Sequence, residues 1–239
     1  LLSLRGERGL NSLRDAAHEV AVRLDMMTEY GRLNKAIGAL LGSRPANVLS
    51  SALAVARAQG VPYDPERLSL FERVVAQLRT FPFAPLAEPA GTGSARDMFA
   101  FVESYFSNYI EGTTFTVEEA EDIVFRNKVI PLRSEDSHDV KGTFDAALRD
   151  PFYSKPPLDE EHFIEWLRLV NQKVMGARPD KEPGQWKQKP NQAGSTLFVR
   201  PELVEGTLRK AWPLMGTLEL PMQRALTAMF IVSEVHPFT

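Results

Sequence analysis

Ala225-Leu226-Thr227-Ala228-Met229-Phe230-Ile231-Val232-Ser233-Glu234-Val235-His236-Pro237-Phe238-Thr239 is the stretch on which the fold turns. From Ala225 to Val235 the run is apolar on nearly every side of a helical wheel, broken by Thr227, Ser233 and Glu234. It falls far short of the ~20 residues that a membrane span needs, so it reads as a core helix. Pro221 suits the first turn, where a missing N–H costs nothing, and Pro237 stops the helix just after His236. All-round hydrophobicity is tolerated only inside a protein, so the helix from Pro221 to Val235 is expected to be the most buried element.

Upstream, the stretch from Pro183 to Pro201 is interrupted by Gly184, Pro190, Asn191 and Gly194, and Thr196-Leu197-Phe198-Val199 is the best strand candidate. A β-hairpin between about Gln185 and Val199 is expected, with a helix from Pro201. Further back, Asp159 caps a helix through Phe163, Trp166, Leu167, Val170 and Val174 that ends at Gly176. Thr116 and Glu119 form a capping box. Ser94, with Asp97 three residues on, is read as the cap of a helix whose stripe is Met98, Phe101, Val102, Tyr105, Tyr109 and Ile110 and whose left-handed stop is Gly112. Ser107 and Glu111 are four apart and share one face of it.

The first ninety residues also read as helices: about Gly9 to Leu41, Pro45 to Gly60, and Pro65 to Leu78. Pro82, Pro85, Pro89, Gly91 and Gly93 then mark a linker. This gives an N-terminal helical region over 1–90 and a second domain over 94–239. The expected class is all-α, a helical bundle with one short β-hairpin.

Composition narrows the function classes. A net charge of −3 and an isoelectric point near 5.9 give no electrostatic case for a phosphate backbone as partner. The absence of cysteine excludes disulfide scaffolds, thiolate zinc sites and cysteine nucleophiles. A chain that opens Leu-Leu-Ser-Leu-Arg, without a signal-peptide core behind it, is expected to be part of a longer polypeptide.

The apolar run followed by His236-Pro237-Phe238 resembles the signature of the Fic (filamentation induced by cAMP) family, H-P-F-x-D/E-G-N-G-R-x-x-R, of which three defined positions are present. Independently, Ser107-Asn108-Tyr109-Ile110-Glu111-Gly112 resembles the S/T-x-x-x-E-G/N element by which many Fic enzymes inhibit themselves, and it precedes the histidine as in members with an N-terminal inhibitory helix. The segments 135–143, Pro183-Gly184-Gln185-Trp186-Lys187 and Phe198-Val199-Arg200-Pro201 are also similar to one Fic subfamily. The resemblance covers about Phe99 to Thr239.

It implies an autoinhibited protein adenylyltransferase that moves AMP from ATP, with Mg²⁺, onto a hydroxyl of a target protein. His236 would be the general base, since a side chain titrating near neutrality is suited to taking the hydroxyl proton. Phe238 would anchor the loop. Ser107, Glu111 and Gly112 would form the inhibitory element, with the Glu111 carboxylate occupying space that the γ-phosphate needs. The hairpin would be a flap holding the target peptide by main-chain hydrogen bonds, with Gln188, Lys189, Asn191 and Thr196 as docking candidates. The metal-binding acid and the phosphate-binding turn belong to motif positions after Thr239, so the chain as given is expected to bind Mg-ATP poorly and to transfer nothing. A cytoplasmic setting follows from the resemblance alone, and a homo-oligomer is compatible with it.

Other readings stay open. Removal of AMP, or transfer of phosphocholine, UMP or phosphate, uses the same scaffold, and a non-catalytic interaction module would use the hairpin and N-terminal helices to bind a partner. Glu135, Asp136, His138 and Asp139 invite a metal site, but their spacing does not favour one. His162 and His18 are given no chemical role.

Overall fold

The computed structural model describes residues 2–84, 93–148 and 155–239; Pro85, Pro89 and Gly91 of the expected linker lie outside them. Ten α-helices, three short 3-10 turns and one two-stranded hairpin make up the regular structure of the described residues, an all-α fold with a short hairpin. None of these helices is long and apolar enough to cross a membrane. In chain order the helices are α1 (Leu2–Leu24), α2 (Met27–Leu40), α3 (Ala52–Ala58), α4 (Pro65–Thr80), α5 (Ser94–Ile110), α6 (Val117–Arg126), α7 (Ser134–Leu148), α8 (Glu160–Val174), α9 (Val204–Gly216) and α10 (Pro221–Val235). Strands β1 (Gln192–Ala193) and β2 (Thr196–Leu197) pair antiparallel, Gln192 opposite Leu197 and Ala193 opposite Thr196.

By contacts the chain falls into two units, Leu1–Gln77 with Pro190–His236, and Leu78–Lys189 with Pro237–Thr239. This grouping differs from a division at the Pro-rich segment, because the hairpin, α9 and α10 return to the N-terminal helices.

In the first unit α1 packs on α2, and α9 on α10. Asp64 caps α4, its carboxylate accepting from the N–H groups of Glu66 and Arg67 at 3.0 and 3.1 Å, while its own N–H donates to Thr207 Oγ1 on α9 at 2.9 Å. Phe71 of α4 meets Phe230 of α10 edge to face, with ring centroids 6.1 Å apart. Gly206 allows α9 to lie against the chain at Pro62: a Cβ there would sit 2.0 Å from the Pro62 carbonyl oxygen. The N-terminal residues are thus built into the support of α9 and α10.

In the second unit α7 is central, packed by α5, α6 and α8. Phe101, Phe115, Ile123, Val124, Val140 and Phe144 form its core. Gly142 brings α7 against α8, leaving 3.0 Å between an added Cβ and the Lys173 carbonyl oxygen. The capping box expected at α6 is present in full, Glu119 N–H to Thr116 Oγ1 at 3.2 Å and Thr116 N–H to the Glu119 carboxylate at 2.9 Å.

Three local expectations are corrected. The stretch Pro45 to Gly60 is a 3-10 turn, Ala46–Val48, and a short α3, because Leu49 and Ser51 are extended between them. The cap of α5 is Gly93, with φ of 66°, and Ser94 is already helical. The hairpin does lie between Gln185 and Val199 as expected, with strands of two residues each. Lastly, α10 is not the most buried element: only Gln223, Thr227, Ile231 and Val235 are buried, a single stripe of period four, and Met229 is 62% exposed. By contrast α9 buries Val204, Gly206, Thr207, Leu208, Ala211 and Met215. Hydrophobic content measured how apolar α10 is, whereas its burial depends on one-sided packing against α9.

Candidate functional site

His236 owes its place to the way α10 begins and ends. Pro221 opens the helix, the Leu220 N–H donates to Gln223 Oε1 at 3.1 Å, and the buried stripe holds the helix axis. At the other end His236 takes the left-handed conformation, φ 46° and ψ 67°, and its N–H donates to the Val232 carbonyl at 2.8 Å. A non-glycine residue there carries backbone strain, and such strain concentrates at functional sites. Ending the helix on this residue turns the side chain out: His236 is exposed.

Its imidazole lies face to face on Phe198, with ring centroids 4.3 Å apart and planes 11° apart. Phe198 directly follows β2, and its N–H donates to the Asn191 carbonyl at 3.2 Å, closing the base of the hairpin. Arg67, in the first turn of α4, donates both to the carbonyl of Leu197 and to the carboxylate of Glu234. In the alternation of an antiparallel pair, the groups of Leu197 and Gln192 point to the outer edges. Arg67 therefore takes the outer edge of β2, and Gln192 presents the outer edge of β1.

In the second unit, residues 237–238 are gripped by the 184–187 segment. The Lys187 N–H donates to the Pro237 carbonyl at 2.9 Å, and Trp186 stacks on Phe238 with centroids 5.2 Å apart. That segment is tied to α8, where Arg168 Nε donates to the Gly184 carbonyl and the Gly184 N–H donates to Asn171 Oδ1, each at 2.8 Å. The Arg168 guanidinium also lies over the Trp186 ring. Lys187 is 2% exposed, and burial pulls its ammonium down from 10.5 to about 8. Pro237 is buried and Phe238 half-buried.

The residues of the expected inhibitory element sit at the end of α5. Ser107 is in the last turn, Glu111 is the cap residue, and Gly112, with φ of 97°, turns the chain away. All three are exposed. They belong to the second unit, His236 to the first. Of the docking candidates only Thr196 is in a strand. Asn191 contributes its carbonyl at the hairpin base, whereas Gln188 and Lys189 precede the hairpin, and the Gln188 amide donates to the Trp186 carbonyl at 2.9 Å.

The acidic run on α7 proves to be an arginine clamp. Glu135, Asp136 and Asp139 accept from Arg178 at 3.1, 2.6 and 2.6 Å. Burial raises Asp139, against the opposing pull of Arg178. Among the described residues no group of three or more His, Asp or Glu could hold a metal ion.

Sequence reasoning missed Arg67, Glu234 and Arg168, and gave Phe198, Trp186 and Lys187 no individual role. For the last three a signal existed, because both segments that contain them resemble Fic wording. Comparison of the chain with models of protein families, with curated proteins and with solved structures found no match.

Proposed function

We propose that this chain carries the general base, the target-docking hairpin and the inhibitory helix of a Fic-type protein adenylyltransferase. The observation that carries the reading is His236. It is an exposed imidazole at the end of a helix, in a left-handed backbone conformation, stacked on the base of a hairpin whose strands are exposed.

In the proposed reaction the His236 imidazole accepts the proton of a target Ser, Thr or Tyr hydroxyl. That oxygen forms its bond to the α-phosphorus of ATP as the bond to the bridging oxygen breaks, and pyrophosphate leaves. The imidazolium then returns its proton to solvent. The edge offered to an incoming peptide is the outer edge of β1 at Gln192, with specificity from side chains on alternate positions. Glu111 would restrain the reaction by charge: a carboxylate about 4 Å from a γ-phosphate oxygen costs about 4 kcal/mol at an effective dielectric near 20. The described residues do not fit an Mg²⁺ site, so no step is assigned to the metal. The setting we propose is cytoplasmic.

The test is incubation of the full-length protein with α-labelled ATP and lysate. Transfer of label that is lost in His236→Ala supports the reading. Equal labelling by both proteins rejects His236 as the base. The exposed hairpin would serve an interaction module equally well, and absence of transfer by wild type together with capture of a partner that a hairpin deletion abolishes would favour that second reading.

A further inference from the structure

We infer that Arg67 and Phe198 are positioning residues for the His236 imidazole, so that helix α4 of the N-terminal region is a working part of the reaction centre. The inference rests on the general-base role proposed for His236 and adds how that ring is aimed.

A histidine side chain turns about two bonds, and catalysis needs one orientation of the ring. Phe198 supplies a flat surface on one side of the imidazole, at 4.3 Å and 11°. That surface is useful only if Phe198 and the end of α10 keep their mutual position. Arg67 fixes both ends of this arrangement with one group. Its guanidinium donates to the carbonyl of Leu197, the residue before Phe198, and to the carboxylate of Glu234, two residues before His236.

A guanidinium is suited to this because its donors form a rigid planar fork, whereas a lysine ammonium offers a point charge on a flexible stem. The Arg67 and Glu234 side chains are 20% and 22% exposed, so the pair is shielded more than a surface ion pair. Arg67 is itself held. Its N–H donates to the Asp64 carboxylate, and the Asp64 N–H is anchored on Thr207 of α9. The path from α9 through Asp64 and Arg67 to Leu197 and Glu234 lies within the first unit.

The experiment uses the full-length protein and the variants Phe198→Leu, Phe198→Tyr, Arg67→Lys and Arg67→Met, with circular dichroism to confirm folding. Two quantities are read: AMP transfer, split into kcat and KM for ATP, and the proton resonance of the His236 Cε1–H. A phenyl ring stacked face-on moves that resonance upfield. In Phe198→Leu and in both Arg67 variants it should move downfield toward the position of a free histidine, with kcat lowered on the order of 10- to 100-fold and KM changed less than about twofold. Phe198→Tyr, which keeps the ring, should restore both readings.

An unmoved resonance in folded Phe198→Leu and Arg67→Met overturns the inference. So does an unchanged kcat alongside a moved resonance. If wild type transfers no AMP, the proposed function fails, and the resonance still decides whether Arg67 and Phe198 fix the ring.

Discussion

At the scale of single residues, backbone conformation and burial give two direct expectations. His236 has φ of 46°, a region that costs an L-residue with a Cβ about 1–2 kcal/mol and costs glycine almost nothing. His236→Gly should therefore be more stable than His236→Ala by about 1 kcal/mol, although both lose the proposed base; equal melting temperatures for the two would show that the conformation carries no strain. Lys187 gives a pH dependence. Its folded value is about 8 and its ordinary value 10.5, so below pH 8 both states are protonated and the folded state bears the whole cost of a buried charge. Between pH 8 and 10.5 the unfolded state binds more protons, and stability rises with pH by up to about 3 kcal/mol. Denaturant melts of wild type and Lys187→Met should diverge most at pH 7 and converge toward pH 10; a constant difference would contradict the assignment. Neither expectation was legible in the sequence. The left-handed turn depends on where α10 stops, and the burial of Lys187 depends on residues distant in the chain that enclose it.

At the scale of elements, local signals were read well wherever the physics is local. The Thr116 and Glu119 capping box, the Asp159 cap, the left-handed Gly112 and a hairpin between Gln185 and Val199 all depend on residues within a few positions of each other, and all are present. The failures arose where packing decides. Pro45 looked like the start of a long helix, but Leu49 and Ser51 break it. Uniform hydrophobicity in α10 hid a one-sided stripe. Within that stripe Thr227 is buried with no hydrogen-bond partner for its hydroxyl among the described residues. Thr227→Val keeps the shape and removes an unsatisfied polar atom, so it should raise stability by about 1 kcal/mol or more. A lower melting temperature would mean that the hydroxyl is satisfied in solution. Gly206 is the opposite case: a Cβ there meets backbone, and Gly206→Ala should destabilise the first unit severely, to be read as loss of the cooperative melt.

At the scale of the whole molecule, the N-terminal helices had no assigned role in the sequence, since the resemblance began near Phe99. Their contacts with the 3-10 turn before α9, with α9, with α10 and with the hairpin come from residues far apart in the chain: Arg57 with Glu202 at 3.1 Å, Asp64 with Thr207, and Arg67 with both Glu234 and Leu197. Such pairings have no sequence signature. His236 and Glu111 were singled out for the opposite reason, because each sits in a short motif whose order along the chain can be read directly. The proposed reading is a base at His236 restrained by the carboxylate of Glu111. It is tested most directly by self-modification of the full-length protein with α-labelled ATP, comparing wild type, Glu111→Gly and the double variant Glu111→Gly, His236→Ala. The account predicts that Glu111→Gly raises labelling at least tenfold, as expected from removing a repulsion of more than about 1.4 kcal/mol, and that the double variant shows none. Labelling that stays flat or falls in Glu111→Gly, or that survives in the double variant, would contradict it.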